Sequence, residues 1–152
     1  MELKCKFVGL SMILLYGCNS YNVKSLPYDP NLKDIVVVDN PKVIVADFVD
    51  VMTDEFNARE IKVRCVPQSY AAKPKEYVVC YDARRSWDFS PYLSDATIRI
   101  RKDGMTIAKG KYHHTGGPAS LDVFTKWRGT EWKMKELYDE LLKYYPQTIK
   151  SR

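Results

Sequence analysis

The sequence predicts one α+β domain in the order β-α-β-β-β-β-α, a mostly antiparallel four- to five-stranded sheet with two amphipathic helices on one face. Three observations predict it. A short β-branched run, Ile35-Val36-Val37-Val38, precedes the first segment of helical periodicity. Between residues 61 and 114, apolar and polar residues alternate with the period of two that marks half-buried strands. Two segments, about 41–58 and 130–145, repeat their apolar residues at helical spacing.

Residues 35–38 read as a first strand buried on both faces. Asp39-Asn40-Pro41 supplies a cap residue and a proline suited to a first helical turn. Val45, Phe48, Val49, Met52 and Phe56 form the apolar stripe of the helix that follows, with Asp47, Asp50, Asp54 and Glu55 opposite. Ile61, Val63 and Cys65 alternate with Lys62 and Arg64 in a second strand. After a proline-containing loop at 67–75, Tyr77, Val79, Tyr81 and Ala83 share one face of a third, about 76–84. Two further strands, about 95–102 and 105–114, meet at Asp103-Gly104.

The charge pattern selects a register for that last hairpin. A two-residue Asp-Gly loop pairs Ile98 with Lys109 and sends a lysine into the core. A three-residue loop, Lys102-Asp103-Gly104, instead pairs Ile98 with Ala108 and Ile100 with Thr106. Arg99, Arg101, Lys109 and Lys111 then share the outer face. The segment 113–127 is irregular around Gly116-Gly117-Pro118, with a short edge strand expected near Leu121–Phe124. Met134, Leu137, Tyr138, Leu141, Leu142 and Tyr145 mark the closing helix, capped by Thr130 and stopped before Pro146.

The chain opens on a targeting pattern. Lys4 and Lys6 precede a run of ten residues, Phe7–Tyr16, which is half the ~20 needed to span a bilayer as a helix. Leu15-Tyr16-Gly17-Cys18 resembles the lipobox of bacterial lipoproteins, with Tyr16 bulkier than the usual small residue. The resemblance implies cleavage after residue 17 and lipid on Cys18, which would fix the chain to a membrane. Asn19 is not the aspartate that retains enteric-type lipoproteins in the inner membrane, so the periplasmic face of the outer membrane is implied. Residues 18–33, polar and carrying Pro27 and Pro30, read as the lipidated cysteine and a flexible tether, and residues 34–148 as the domain.

The 152-residue chain, less that leader, is long enough for one compact domain with its own core. Its formal charge of +5 falls to +4 without Lys4, Lys6 and Glu2, a mild excess that suits anionic lipid or an acidic protein patch better than nucleic acid. Cys65 and Cys80 are the even pair left in an oxidising compartment, and the sequence leaves open a disulfide or two buried thiols.

Asn40-Pro41-Lys42-Val43, Ser86-Trp87-Asp88 with Pro91-Tyr92-Leu93, Lys126-Trp127 and the closing helix resemble a small gammaproteobacterial-type lipoprotein family of uncharacterised function. The resemblance covers essentially the whole domain. More distantly, the element order is similar to envelope lipoproteins that accompany transport machines, such as the lipopolysaccharide-assembly lipoprotein. That similarity implies an accessory role beside an envelope protein.

No nucleophile elbow, metalloprotease helix or phosphate-binding glycine loop is present in the sequence, so neither catalysis nor a cofactor is expected. Neighbouring residues on a strand face opposite ways, so His113 and His114 do not suit one metal and no metal site is expected. Two binding candidates stand out. Arg99, Arg101, Lys109 and Lys111 suit an anionic envelope ligand, a lipid phosphate or wall polymer, or else form a solvated face. Arg84, Arg85, Trp87 and Tyr92 have interface composition, or else Trp87 plugs a structural corner.

Overall fold

The computed structural model describes residues 19–115 and 128–148. The leader, Cys18, the glycine pair at 116–117, the strand expected near 121–124 and Lys126-Trp127 lie outside the described residues. The described chain is an α+β domain, one six-stranded mixed sheet with two helices packed on one face. The strands are β1 (Asn19–Lys24), β2 (Asp34–Val38), β3 (Lys62–Val66), β4 (Tyr77–Asp88), β5 (Ser90–Lys102) and β6 (Met105–His114). The helices are α1 (Phe48–Asn57) and α2 (Thr130–Leu141). The sheet order is β1-β6-β5-β4-β2-β3, with β2 parallel to both β3 and β4 and the other pairs antiparallel. The sheet is therefore larger and more mixed than the sequence suggested.

β2 occupies an interior position, and Ile35, Val36 and Val37 are fully buried there. Its crossover partner β3 returns parallel along the outer edge, as a β-α-β unit requires. Phe48, Met52 and Phe56 recur every four residues on α1 and are fully buried, each contributing roughly 1.5–3 kcal/mol by leaving water. Residues 41–47 stay outside this helix. Asn40 closes its own turn by accepting from the Lys42 N–H (3.2 Å) while its amide donates to the Tyr81 carbonyl (2.9 Å). Thr130 is the first residue of α2 and not its cap. Its hydroxyl donates to Asp47 (2.8 Å), which joins the starts of the two helices. Near their ends, buried Arg59 donates to Glu55 and to Asp139 (2.8 Å), so α1 and α2 lie side by side and run the same way.

The flexible tether expected at 18–33 is corrected by the structure. Residues 19–24 pair along their whole length with β6, turning Tyr21 and Val23 toward the helices and Ser20, Asn22 and Lys24 outward. The rest of the segment is pinned by buried Leu26 and Leu32 and by the Leu26 N–H donating to the Leu141 carbonyl (2.8 Å). Asp29 completes the attachment, accepting from the Tyr77 hydroxyl (2.5 Å) and Lys102 Nζ (3.1 Å). These hydrogen bonds, the tyrosine's foremost, hold its carboxyl well below the usual carboxylate range.

The hairpin register also differs from expectation. Lys102 pairs with Met105, leaving a two-residue Asp103-Gly104 loop with φ of 50° and 79°, the positive pair of a type I′ turn. A bulge at Ile100/Arg101 takes up one extra residue, so Ile100 opposes Ala108 and Ile98 opposes Gly110. The bulge keeps Lys109 out of the core without lengthening the loop.

Candidate functional site

Alternation assigns each strand residue to one of two faces. Ile98, Ile100, Ala108 and Tyr112 belong to the core under the helices. Arg99, Arg101, Lys109 and Lys111 therefore project from the other face, as the sequence predicted. Register brings these four together and adds one cation that sequence reasoning assigned to the tether. Lys24 of β1 opposes Lys109 of β6, which opposes Arg99 of β5. Lys24 could have been found from the alternation Ser20, Asn22, Lys24, but proline content at 27 and 30 masked that signal.

Asp82 meets this cluster 3.5 Å from Arg99, and Asp95 lines a surface hollow together with Lys111. The Arg101 guanidinium donates to the Gly104 carbonyl (2.9 Å), holding it over the turn. Lys24, Lys109 and Lys111 are exposed.

The other half of this face is partly roofed by the loop between β3 and β4. Glu76 accepts from Arg64 (2.6 Å), from the Tyr70 hydroxyl (2.9 Å) and from the Lys73 N–H (3.0 Å). The Lys73 amide is the largest of the influences that lower the Glu76 carboxyl below its usual range. Between roof and sheet lies a groove of about 610 Å³, lined by Tyr70, Pro74, Val78, Cys80 and Arg101 among others. It was not legible in the sequence, because it depends on how the loop folds back. Its lining mixes apolar Val78 and Pro74 with the cations Lys73 and Arg101 and the carboxylates Glu76 and Asp103, so an anionic group could sit there only on Arg101 or Lys73.

Cys65 and Cys80 are free thiols, and the candidate disulfide is corrected. Cys65 opposes Val37 on the helix face, whereas Cys80 lines the groove on the opposite face. β2 also separates their strands, and two interstrand spacings of about 4.8 Å exceed the Cα separation a disulfide tolerates, about 7 Å at most.

His113 and His114 point to opposite faces. His113 Nδ1 lies 2.6 Å from Asp95, while His114 is buried edge-on to the Tyr92 ring, with Nδ1 3.1 Å from the Asn19 amide oxygen. Partial burial alone would raise the Asp95 carboxyl, but hydrogen bonds from His113 and Ser94 outweigh it and hold the group below its usual range.

The structure separates the aromatic candidates. Tyr92 is half-buried, its ring 5.1 Å from Nζ of buried Lys133, which donates to the Leu93 carbonyl (3.1 Å). Arg84 and Arg85 are exposed. Trp87 plugs no corner: β4 and β5 run on past the sheet as a two-stranded arm that turns at Phe89 (φ 57°), leaving Trp87 75% and Phe89 88% exposed.

No protein-family model and no curated protein matches the chain. Its fold is similar to that of PelC from Paraburkholderia phytofirmans, solved as a dodecamer in two crystal forms. Those chains are 14% identical, with TM-scores of 0.52 and 0.51, over 80% of this chain and 98% of theirs. A minor lipoprotein from Acinetobacter baumannii is more distant, with a TM-score of 0.30 at 12% identity over 74% of this chain and 88% of its own. The likeness to PelC shows a shared fold.

Proposed function

We propose that this chain is a lipid-anchored periplasmic protein of the outer membrane, held through Cys18, that serves as a non-catalytic accessory subunit of an envelope assembly or transport system. One observation carries the reading: the cations Lys24, Lys109, Lys111, Arg99 and Arg101, on three adjacent strands, form a face that neither helix among the described residues covers. Such a surface attracts an acidic partner from a distance and loses that attraction as salt shortens the ~10 Å Debye length. No helix among the described residues is long and apolar enough to cross a membrane, so attachment through lipid is the route that fits the leader pattern.

A second reading is favoured by the groove at Cys80 and Arg101: an anionic envelope ligand, a lipid phosphate or wall polymer, bound on the same face. Cross-linked capture of the tagged, lipidated protein from cell envelopes, with an Arg99→Glu/Arg101→Glu variant beside it, tests both. A stoichiometric membrane-protein partner released by salt and lost in the variant supports the accessory role. Lipid or wall material with the same behaviour supports the second reading. Identical capture by wild type and variant overturns the cationic face as the working surface.

A further inference from the structure

The end of the sheet from which the lipid would emerge also carries the exposed aromatic arm. The row Ser20–His113–Asp95–Arg84 runs straight across β1, β6, β5 and β4. Beyond it, β1 has one residue left, Asn19, whereas β4 and β5 continue through Trp87, Phe89 and Pro91. Trp87 lies three residues past Arg84, about 10 Å at the ~3.3 Å rise of a strand. Two to three interstrand spacings, about 10–15 Å, separate this arm sideways from β1.

Cys18 is bonded directly to Asn19, the first residue of the sheet, so consecutive Cα atoms about 3.8 Å apart are the whole distance between anchor and domain. With no spacer, acyl chains on Cys18 draw this end of the sheet against the bilayer, and among the described strands β4 and β5 extend past the others in that direction. We infer that the Trp87–Phe89 arm rests in the phospholipid interface beside the anchor and fixes how the domain stands on the membrane. The inference depends on Cys18 carrying lipid, as proposed above.

The chemistry of this end suits that occupant. Trp and Phe are exposed where water would otherwise meet them, and indole prefers the headgroup level, where its ring is half apolar and its N–H finds acceptors. Exposed Arg84 and Arg85 flank the arm at the height of lipid phosphates. The start of α2 lies at the same end, because Lys133 reaches the Leu93 carbonyl, and it adds the Arg128 guanidinium stacked 4.4 Å over the half-exposed Trp132 ring. An open two-stranded arm cannot satisfy all its backbone groups in hydrocarbon, so it stops at the interface.

The test uses the full chain, processed and lipidated in a Gram-negative host, extracted in detergent and reconstituted into phosphatidylethanolamine–phosphatidylglycerol vesicles containing brominated acyl chains. Labelling with radioactive palmitate and flotation report the anchor, and bromine quenching of tryptophan reports the arm. The expected result is a quenched, blue-shifted emission component that Trp87→Phe abolishes and Trp132→Phe leaves in place. Arg84→Glu/Arg85→Glu, which leaves the aromatic side chains in place, should weaken the quenching. A labelled, floating protein whose Trp87 emission is neither quenched nor shifted overturns the arm and leaves the lipid anchor standing. So does a Trp87 signal protected by a co-purifying protein partner. A protein that neither takes label nor floats overturns the anchor, and the arm's contact falls with it.

Discussion

Gly110 gives the sharpest test of how the helices sit on the sheet. It lies on β6 beneath Leu137 of α2, and a Cβ added there would come within 2.7 Å of Leu137 Cδ2, 3.1 Å of Cγ and 3.3 Å of Cδ1. Because Cγ is among those atoms and Leu137 is fully buried, no swing of a methyl group relieves the clash. The whole side chain, or α2 itself, must shift. Gly110→Ala in a strand would otherwise gain about 0.5–1 kcal/mol from reduced chain entropy. Overpacking a full core costs about 1–3 kcal/mol, so the net expected loss is about 0–2.5 kcal/mol, centred a little above 1. At about 2–8 °C per kcal/mol for domains of this size range, Tm should drop measurably. Leu137→Ala alone should cost about 2–5 kcal/mol, since its site cannot fully collapse. In that background the new methyl group at 110 enters the vacated space, and Gly110→Ala should become neutral or stabilising. Urea denaturation of a soluble form beginning at residue 19 measures all four corners of the cycle. A Gly110→Ala protein more stable than wild type, or two changes that simply add, would refute this account of the contact.

The Asp29 cluster makes stability depend on acid. A carboxyl lowered on folding stabilises above its ordinary value near pH 4, and that contribution fades as pH falls through the lower folded value. Asp29→Asn should therefore flatten the acid side of a stability profile measured in denaturant across pH. Tyr138 buries a hydroxyl that has no hydrogen-bond partner among the described residues. Tyr138→Phe should stabilise by about 1 kcal/mol in denaturant melts, since an unsatisfied buried polar group costs about 1–3 kcal/mol. Arg59 is almost wholly buried between Glu55 and Asp139, so Glu55→Gln, removing its less exposed partner, should cost more than Asp139→Asn. Mass spectrometry after non-reducing alkylation should find Cys65 and Cys80 both modified, exposed Cys65 the faster.

Where local pattern and tertiary contact agreed, the sequence was legible. Phe48, Met52 and Phe56 announced α1, and the alternation of Ile98 and Ile100 with Arg99 and Arg101 identified the core and cationic faces correctly. The register of that hairpin was not legible, because a single-residue bulge satisfies the same polarity pattern as a longer loop. β1 was missed for a different reason. Tyr21 and Val23 are only two inward residues in a short polar strand, and what orders them is β6, far along the chain. Trp87 was read against a core it does not meet: β4 and β5 run on past their ladder with β6, and the Trp87 ring is left 75% exposed. The thiols separated because strand order, which places β2 between them, is a property of the whole sheet.

The pairing of β1 with β6 also dictates when the fold can be completed. Asn19 meets His114 across 95 residues, and the Leu26 N–H waits for the carbonyl of Leu141. A chain delivered amino end first presents its earliest strand with no neighbour until nearly all of it has arrived. The loop-closure entropy of that distance must be met before the contact returns anything, so sheet closure is expected to be the late and slow step. Until then β6 offers an open edge to any other extended chain nearby. A polypeptide cut short before α2 would lack both the Leu141 carbonyl and the helix that buries β6, leaving the β1 end of the domain unclosed.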